Sequence, residues 1–159
     1  MIVALAAGTV ILTSILSTAL FVSKSFIAMG NYTDLDRESR HALDTMSRDI
    51  RNAAGMSAYS TNSITLTNQD GSRFTYAWSS NTTLLTLSNS IGTTILLTNC
   101  NILTFHIYQR NPANNFQFAP ATTVAQAKLV DVSWRCSRNI LGAIINSESV
   151  QTAKIVIRN

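Results

Sequence analysis

From Met1 to Val22 the chain has no polar face. It reads MIVALAAGTVILTSILSTALFV, and no charged residue precedes Lys24. About twenty apolar or small residues in helical form extend roughly 30 Å, the thickness of a bilayer's hydrocarbon layer. A lone span in lipid must be a helix, because the backbone there bonds only to itself. The pattern then changes. Apolar residues recur at Phe26, Met29, Leu35, Ala42, Leu43, Met46, Ile50 and Ala53, and from Leu43 onward they keep the period of an amphipathic helix. Asp36, Arg37, Arg40, Asp44, Arg48 and Arg51 take the opposite face. Asp36 with Arg40, and Asp44 with Arg48, are acid-before-base pairs four apart, the favourable order on a helix surface. One helix is therefore predicted over residues 1–54, near 80 Å long if unbroken. Gly30 and Asn31 are its weak point, and Gly55 is placed to end it.

Beyond Gly55 the period falls to two. Strands are predicted over residues 63–67, 73–78, 83–87, 93–98, 102–108, 128–134 and 154–158, with turn chemistry at 68–71, 79–81 and 89–92. Residues 109–125, with Pro112 and Pro120, read as a long loop. Residues 137–149 read as a loop or short helical turn around Gly142. The fold class is α+β: a long N-terminal helix, membrane-spanning and then amphipathic, packed on an antiparallel, meander-like sheet. Three stretches follow: 1–23 as the span, 24–54 as the amphipathic continuation, and 55–159 as a β-rich head. Leu43, Met46 and Ile50 are expected to meet Phe74, Tyr76, Phe105 or Ile107, with Trp134 covered and Asp131 open.

The span carries more than grease. Ala4 and Gly8 are small residues four apart, and Thr9, Thr13 and Ser17 repeat that spacing beside Ser14 and Thr18. Such residues let a second membrane helix approach closely, although their hydroxyls can equally bond back to their own helix. A cleaved secretory signal would need a basic start and a shorter apolar core.

At 159 residues and a formal charge of +4, the chain is one modest domain on a helical stalk. Charges balance over residues 24–54, so the surplus lies on the head, which is rich in Ser, Thr and Asn. Cys100 and Cys136 either pair, closing a loop of about 36 residues worth roughly 3–4 kcal/mol, or remain two thiols.

Catalytic chemistry finds little to stand on. His41 lies amid charges on a helix face and His106 inside a strand, neither beside a sequence pattern of the triad kind. The cysteines lack zinc spacing, and there is no glycine-rich phosphate loop. No cofactor is implied. Arg135, Arg138, Lys154 and Arg158 with Trp134 would make a basic, aromatic patch if gathered, but a scattered solvated surface is the plainer reading, and nucleic acid is not the expected partner.

The layout resembles the type IV pilin-like proteins, which include the pseudopilins of type II secretion. Met1 to Gly8 (MIVALAAG) looks like the text just after that family's prepilin peptidase motif, Gly followed by Phe-Thr-Leu-Val-Glu. RHALDTMSRDIR, from Arg40 to Arg51, is similar to the pattern R-x-A-L-D-x-(L/M)-x-R-D-(I/L)-R of W-type minor pilins and J-type minor pseudopilins. The family's leader, cleavage glycine and glutamate would align immediately before Met1, so either the start lies upstream or processing is not of the usual kind. The resemblance implies a structural subunit of a type II secretion pseudopilus, a type IV pilus or a DNA-uptake pilus. It would be held first in the inner membrane with its head in the periplasm, then assembled at or near a filament tip. Its partners would be the lipid bilayer, other pilin or pseudopilin subunits, the prepilin peptidase and the assembly platform. Helix–helix assembly would fall to Ala4, Leu5, Gly8, Thr9, Ile11, Leu12, Thr13, Ile15, Leu16 and Ser17.

Overall fold

The computed structural model describes residues 2–111, 113–140 and 143–158. Helix α1 runs unbroken over Ile2–Asn52, through Gly30 and Asn31. Its end differs from expectation: α1 stops at Asn52, and Gly55 has no left-handed backbone but opens the first strand. The two-residue link is held by the Ala54 amide, which donates to the Thr67 carbonyl at 2.8 Å.

Two antiparallel sheets follow rather than one. The first is a meander of β1 (Gly55–Ser60), β2 (Ser63–Thr67), β3 (Arg73–Ser79), β4 (Leu84–Ser88) and β5 (Thr93–Leu97), neighbours in chain order. The second comprises β6 (Cys100–Asn111), β7 (Asn114–Pro120), β8 (Leu129–Ile140) and β9 (Ala143–Val156), in spatial order β7-β6-β8-β9. A single 3-10 turn, Val124–Gln126, precedes β8. Much of the expected loop at 109–125 is thus the end of β6 and the edge strand β7. The expected loop at 137–149 is mostly the paired ends of β8 and β9, with Gly142 itself outside the described residues. β1 is a strand that the apolar pattern does not announce.

Turn chemistry explains the first meander. Gly71 takes a φ of 84°, a conformation open to glycine without a Cβ clash. Beside it the Asp70 carboxylate accepts from the Ser72 amide (2.8 Å) and hydroxyl (2.6 Å). At the β4–β5 turn, the Asn89 side chain accepts from the amides of Ile91 and Gly92, an Asx turn.

One core joins three surfaces. Leu35, Ala42, Met46 and Ile50 of α1 lie in the same buried cluster as Ile64, Leu66, Phe74, Tyr76, Leu85 and Leu97 of the first sheet and Leu103, Phe105, Val130, Val132, Trp134 and Ile155 of the second. Phe74 and Tyr76 meet edge to face at 5.9 Å. Alternation along β8, with Val130, Val132, Trp134 and Cys136 all inward, is the period-two signature of a half-buried sheet. Leu43 packs against the cluster from partial exposure, and Ile107 is buried outside it. Asp131, expected to be open, is partly covered.

Candidate functional site: a projecting apolar helix and the clasp that holds it

The helical stripe begins later than its sequence pattern implies. Phe26 and Met29 remain 71% and 70% exposed, and the first α1 residue covered by the head's core is Leu35. The described residues before Ala28 are all exposed. Residues 2–27 therefore add nothing to the buried core, over roughly 39 Å of helix at about 1.5 Å per residue. This helix is long and apolar enough to cross a membrane. Ala4, Leu5, Gly8, Thr9, Ile11, Leu12, Thr13, Ile15, Leu16 and Ser17 all lie on the exposed segment. A Cβ added at Gly8 would meet nothing within 4 Å.

The hydroxyls on this segment are satisfied locally. Thr9 donates to the Ala6 carbonyl at 2.9 Å, and Thr13 to those of Thr9 and Val10 at 3.0 Å. Ser14 bonds Val10, while Ser17 and Thr18 both bond Ser14. Back-bonding of this sort hides polar hydrogens from hydrocarbon, so the stripe tolerates lipid without a partner while staying slim enough to meet one.

The head grips α1 at polar points distributed along it. Nearest the exposed segment, the Ser147 hydroxyl donates to the Ala28 carbonyl (3.1 Å) and the Asn31 side chain to the Asn139 carbonyl (3.4 Å). Next comes an ionic clasp. Arg138 donates to Glu38 at 2.8 Å and lies 3.6 Å from Asp34, while the Thr98 hydroxyl donates to the other Glu38 oxygen at 3.2 Å. Beside Glu38, Ser39 is fully buried. Its hydroxyl accepts from the Trp134 indole N–H (3.3 Å) and the Ser149 hydroxyl (3.4 Å), which satisfies groups that burial would otherwise penalise. Farthest along, the Tyr76 hydroxyl donates to Asp49 at 2.7 Å. Burial first, and that bond second, hold the Tyr76 phenol far above its usual range.

These contacts correct one of the two pairings expected on the charged face. Asp36 and Arg40 pair as expected at 2.8 Å, but Arg48 reaches Asp49 (3.5 Å) rather than Asp44. Glu38, Ser39 and Asp34, which no periodicity singled out, hold the head. A sequence signal existed for Glu38 and Asp34, acids with no cation four residues on, but not for Ser39.

The remaining candidates are placed apart. Trp134 is internal and Arg138 is neutralised by acids, so the basic, aromatic patch with Arg135, Lys154 and Arg158 is not assembled. His41 is exposed on α1, and His106 is exposed on β6 opposite Asp131. Cys100 and Cys136 are buried free thiols facing each other across β6 and β8. Hydrogen bonding between them and burial push the Cys100 thiol up, and the same bond draws Cys136 down. Comparison with known proteins finds no family model, no curated protein and no solved structure that matches this chain.

Proposed function

We propose that the chain is a structural subunit of a pilin-like filament, a minor pilin or minor pseudopilin that anchors in the inner membrane and assembles through residues 2–27. The observation that carries this reading is the division of one continuous helix. Its first half is apolar and contributes no buried residue, while its second half is clasped from Ala28 onward. A helix that only anchored a domain could be joined to it by a flexible link. Here the segment is a rigid extension of the core, so the head's orientation follows that of the helix. Lipid and a bundle of like helices are both apolar surroundings, and the internally bonded hydroxyls suit either.

The test is in-membrane crosslinking. In a chain with Cys100→Ala and Cys136→Ala, single cysteines at Ala4 or Thr13 should stay with membranes through alkaline washing and should crosslink to other subunits. Membrane retention without any crosslink would support a plain single-span tether and overturn the filament reading. Loss of the chain from membranes would overturn both.

A further inference from the structure

We propose that Cys100 and Cys136 form a cross-strand disulfide that locks the Thr98–Arg138 grip on Glu38. This inference does not depend on the filament reading.

The pairing geometry favours the bond. Cys100 is in register with Cys136. The Cys100 amide donates to the Thr83 carbonyl, not to Cys136, and the Ser137 amide donates to the Asn99 carbonyl at 3.0 Å. The Asn99–Ser137 pair is thus hydrogen-bonded across the strands, and in an alternating antiparallel ladder the next pair, Cys100 with Cys136, is of the non-hydrogen-bonded kind. There Cα atoms approach to about 4.5 Å and side chains are closest. A disulfide spans Cα separations of about 4.4–6.8 Å, so the strands need not move apart to admit it. Both side chains point into the core, and the Cys100 sulfur lies 3.4 Å from the Ile102 carbonyl, across the bulge at Asn101. The indole N–H of Trp78 holds the Cys100 carbonyl at 2.9 Å, fixing the backbone from which that sulfur projects.

What the bond would hold is specific. Thr98 lies two residues before Cys100, and Arg138 two residues after Cys136, so on antiparallel neighbours they fall at the same end of the pair. These two side chains take the two oxygens of Glu38. Cys100 also begins β6, where the chain passes from the first sheet to the second. A covalent tie here would fix β6 to β8 at the point where the chain enters the second sheet, beside the helix clasp.

The oxidant is a disulfide donor of the glutathione type. One protein thiolate attacks the donor's S–S bond and expels a donor thiolate. The second protein thiol then loses its proton and attacks the mixed disulfide, expelling the other donor thiol. Two protein S–H bonds and one donor S–S bond become one protein S–S bond and two donor thiols. Because both sulfurs are covered in the fold, exchange occurs while β6 and β8 are parted, and closure then shields the product from reductant.

The full chain in mild detergent is refolded in oxidised or reduced glutathione, then unfolded with a maleimide present and weighed by mass spectrometry. Oxidised material should take up no maleimide and be lighter by two hydrogens. Reduced material should take up two. The oxidised fold should be favoured over the reduced by about two to three orders of magnitude in its folding equilibrium, as closing a loop of this length implies. Glu38→Gln should lower the denaturation midpoint more in oxidised than in reduced protein. Two labels after oxidative refolding, or an oxidised form no more stable than the reduced one, would overturn the disulfide. Equal effects of Glu38→Gln in the two forms would overturn its link to the clasp.

Discussion

At the scale of single residues, the structure places its polar atoms where they decide how α1 is held. Tyr76 keeps its proton because it is buried and donates to Asp49. Its folded pKa lies above the unfolded value of 10.0, so the stability it contributes is fully present below that pH and is lost as pH rises past it. Tyr59 is shifted in the same direction, by burial first. Denaturant midpoints should therefore fall as pH rises above about 10, and Tyr76→Phe should flatten that fall. At neutral pH the same variant should cost about 1–2 kcal/mol, less than a fully buried charged bond, because the Asp49 carboxylate retains access to water. Ser39→Ala strands the Trp134 N–H and the Ser149 hydroxyl inside the core. A loss of about 1–3 kcal/mol is expected in urea unfolding. Thr83 stands at a φ of 54°, where a β-branched side chain costs about 1–2 kcal/mol. Thr83→Gly relieves this and gives back part of the gain in chain entropy, so a net rise of about 0.5–1 kcal/mol is expected by the same measurement.

At the scale of elements, the amphipathic half of α1 is the keystone of the core. Met46 and Ile50 are wholly buried in the cluster that both sheets share. Met46→Ala should cost about 2–5 kcal/mol in denaturant unfolding, with the exposed Met29→Ala as a control close to neutral. The helix and strands β2 to β5 of the first meander were legible in the sequence because their signals are strong. The helix has a long apolar run followed by a regular stripe, and the strands are bounded by Asn, Asp and Gly turns. The second sheet was only half legible, for physical reasons. Its β8 and β9 ends bury Ser147 and Ser149, small hydroxyls turned toward α1, so the alternation of apolar and polar residues that marks a strand is missing. β7 carries a proline at its end, which reads as a break but is tolerated on an edge strand with no outward partner to feed. β1 has few branched side chains and is likewise an edge. Phe26 and Met29 misled in the opposite sense. They continue the stripe in period, but the head begins its grip on a different side, at Ala28 and Asn31.

At the scale of the whole molecule, the chain divides into a part that contributes nothing to the core and a part that contains it. None of residues 2–27 is buried. A chain beginning at Ala28 should therefore retain the unfolding free energy of the head to within about 1 kcal/mol, while no longer needing detergent to remain dispersed. Calorimetry or urea titration of the shortened chain checks the first expectation, and sedimentation without detergent the second. A large loss of stability would mean that the projecting segment supports the head in a way the burial pattern does not reveal.

The distributed clasp has a mechanical consequence. The points of attachment between Ala28 and Ile50 are spread over roughly 33 Å of helix, and they lie side by side along the axis instead of at one tip. A tug on the free end, directed along the rod, strains them all together, as in a lap joint under shear. A sideways tug would peel them one after another, starting at Ser147. The head should thus travel with an axially hauled stalk under loads that would detach it if applied crosswise.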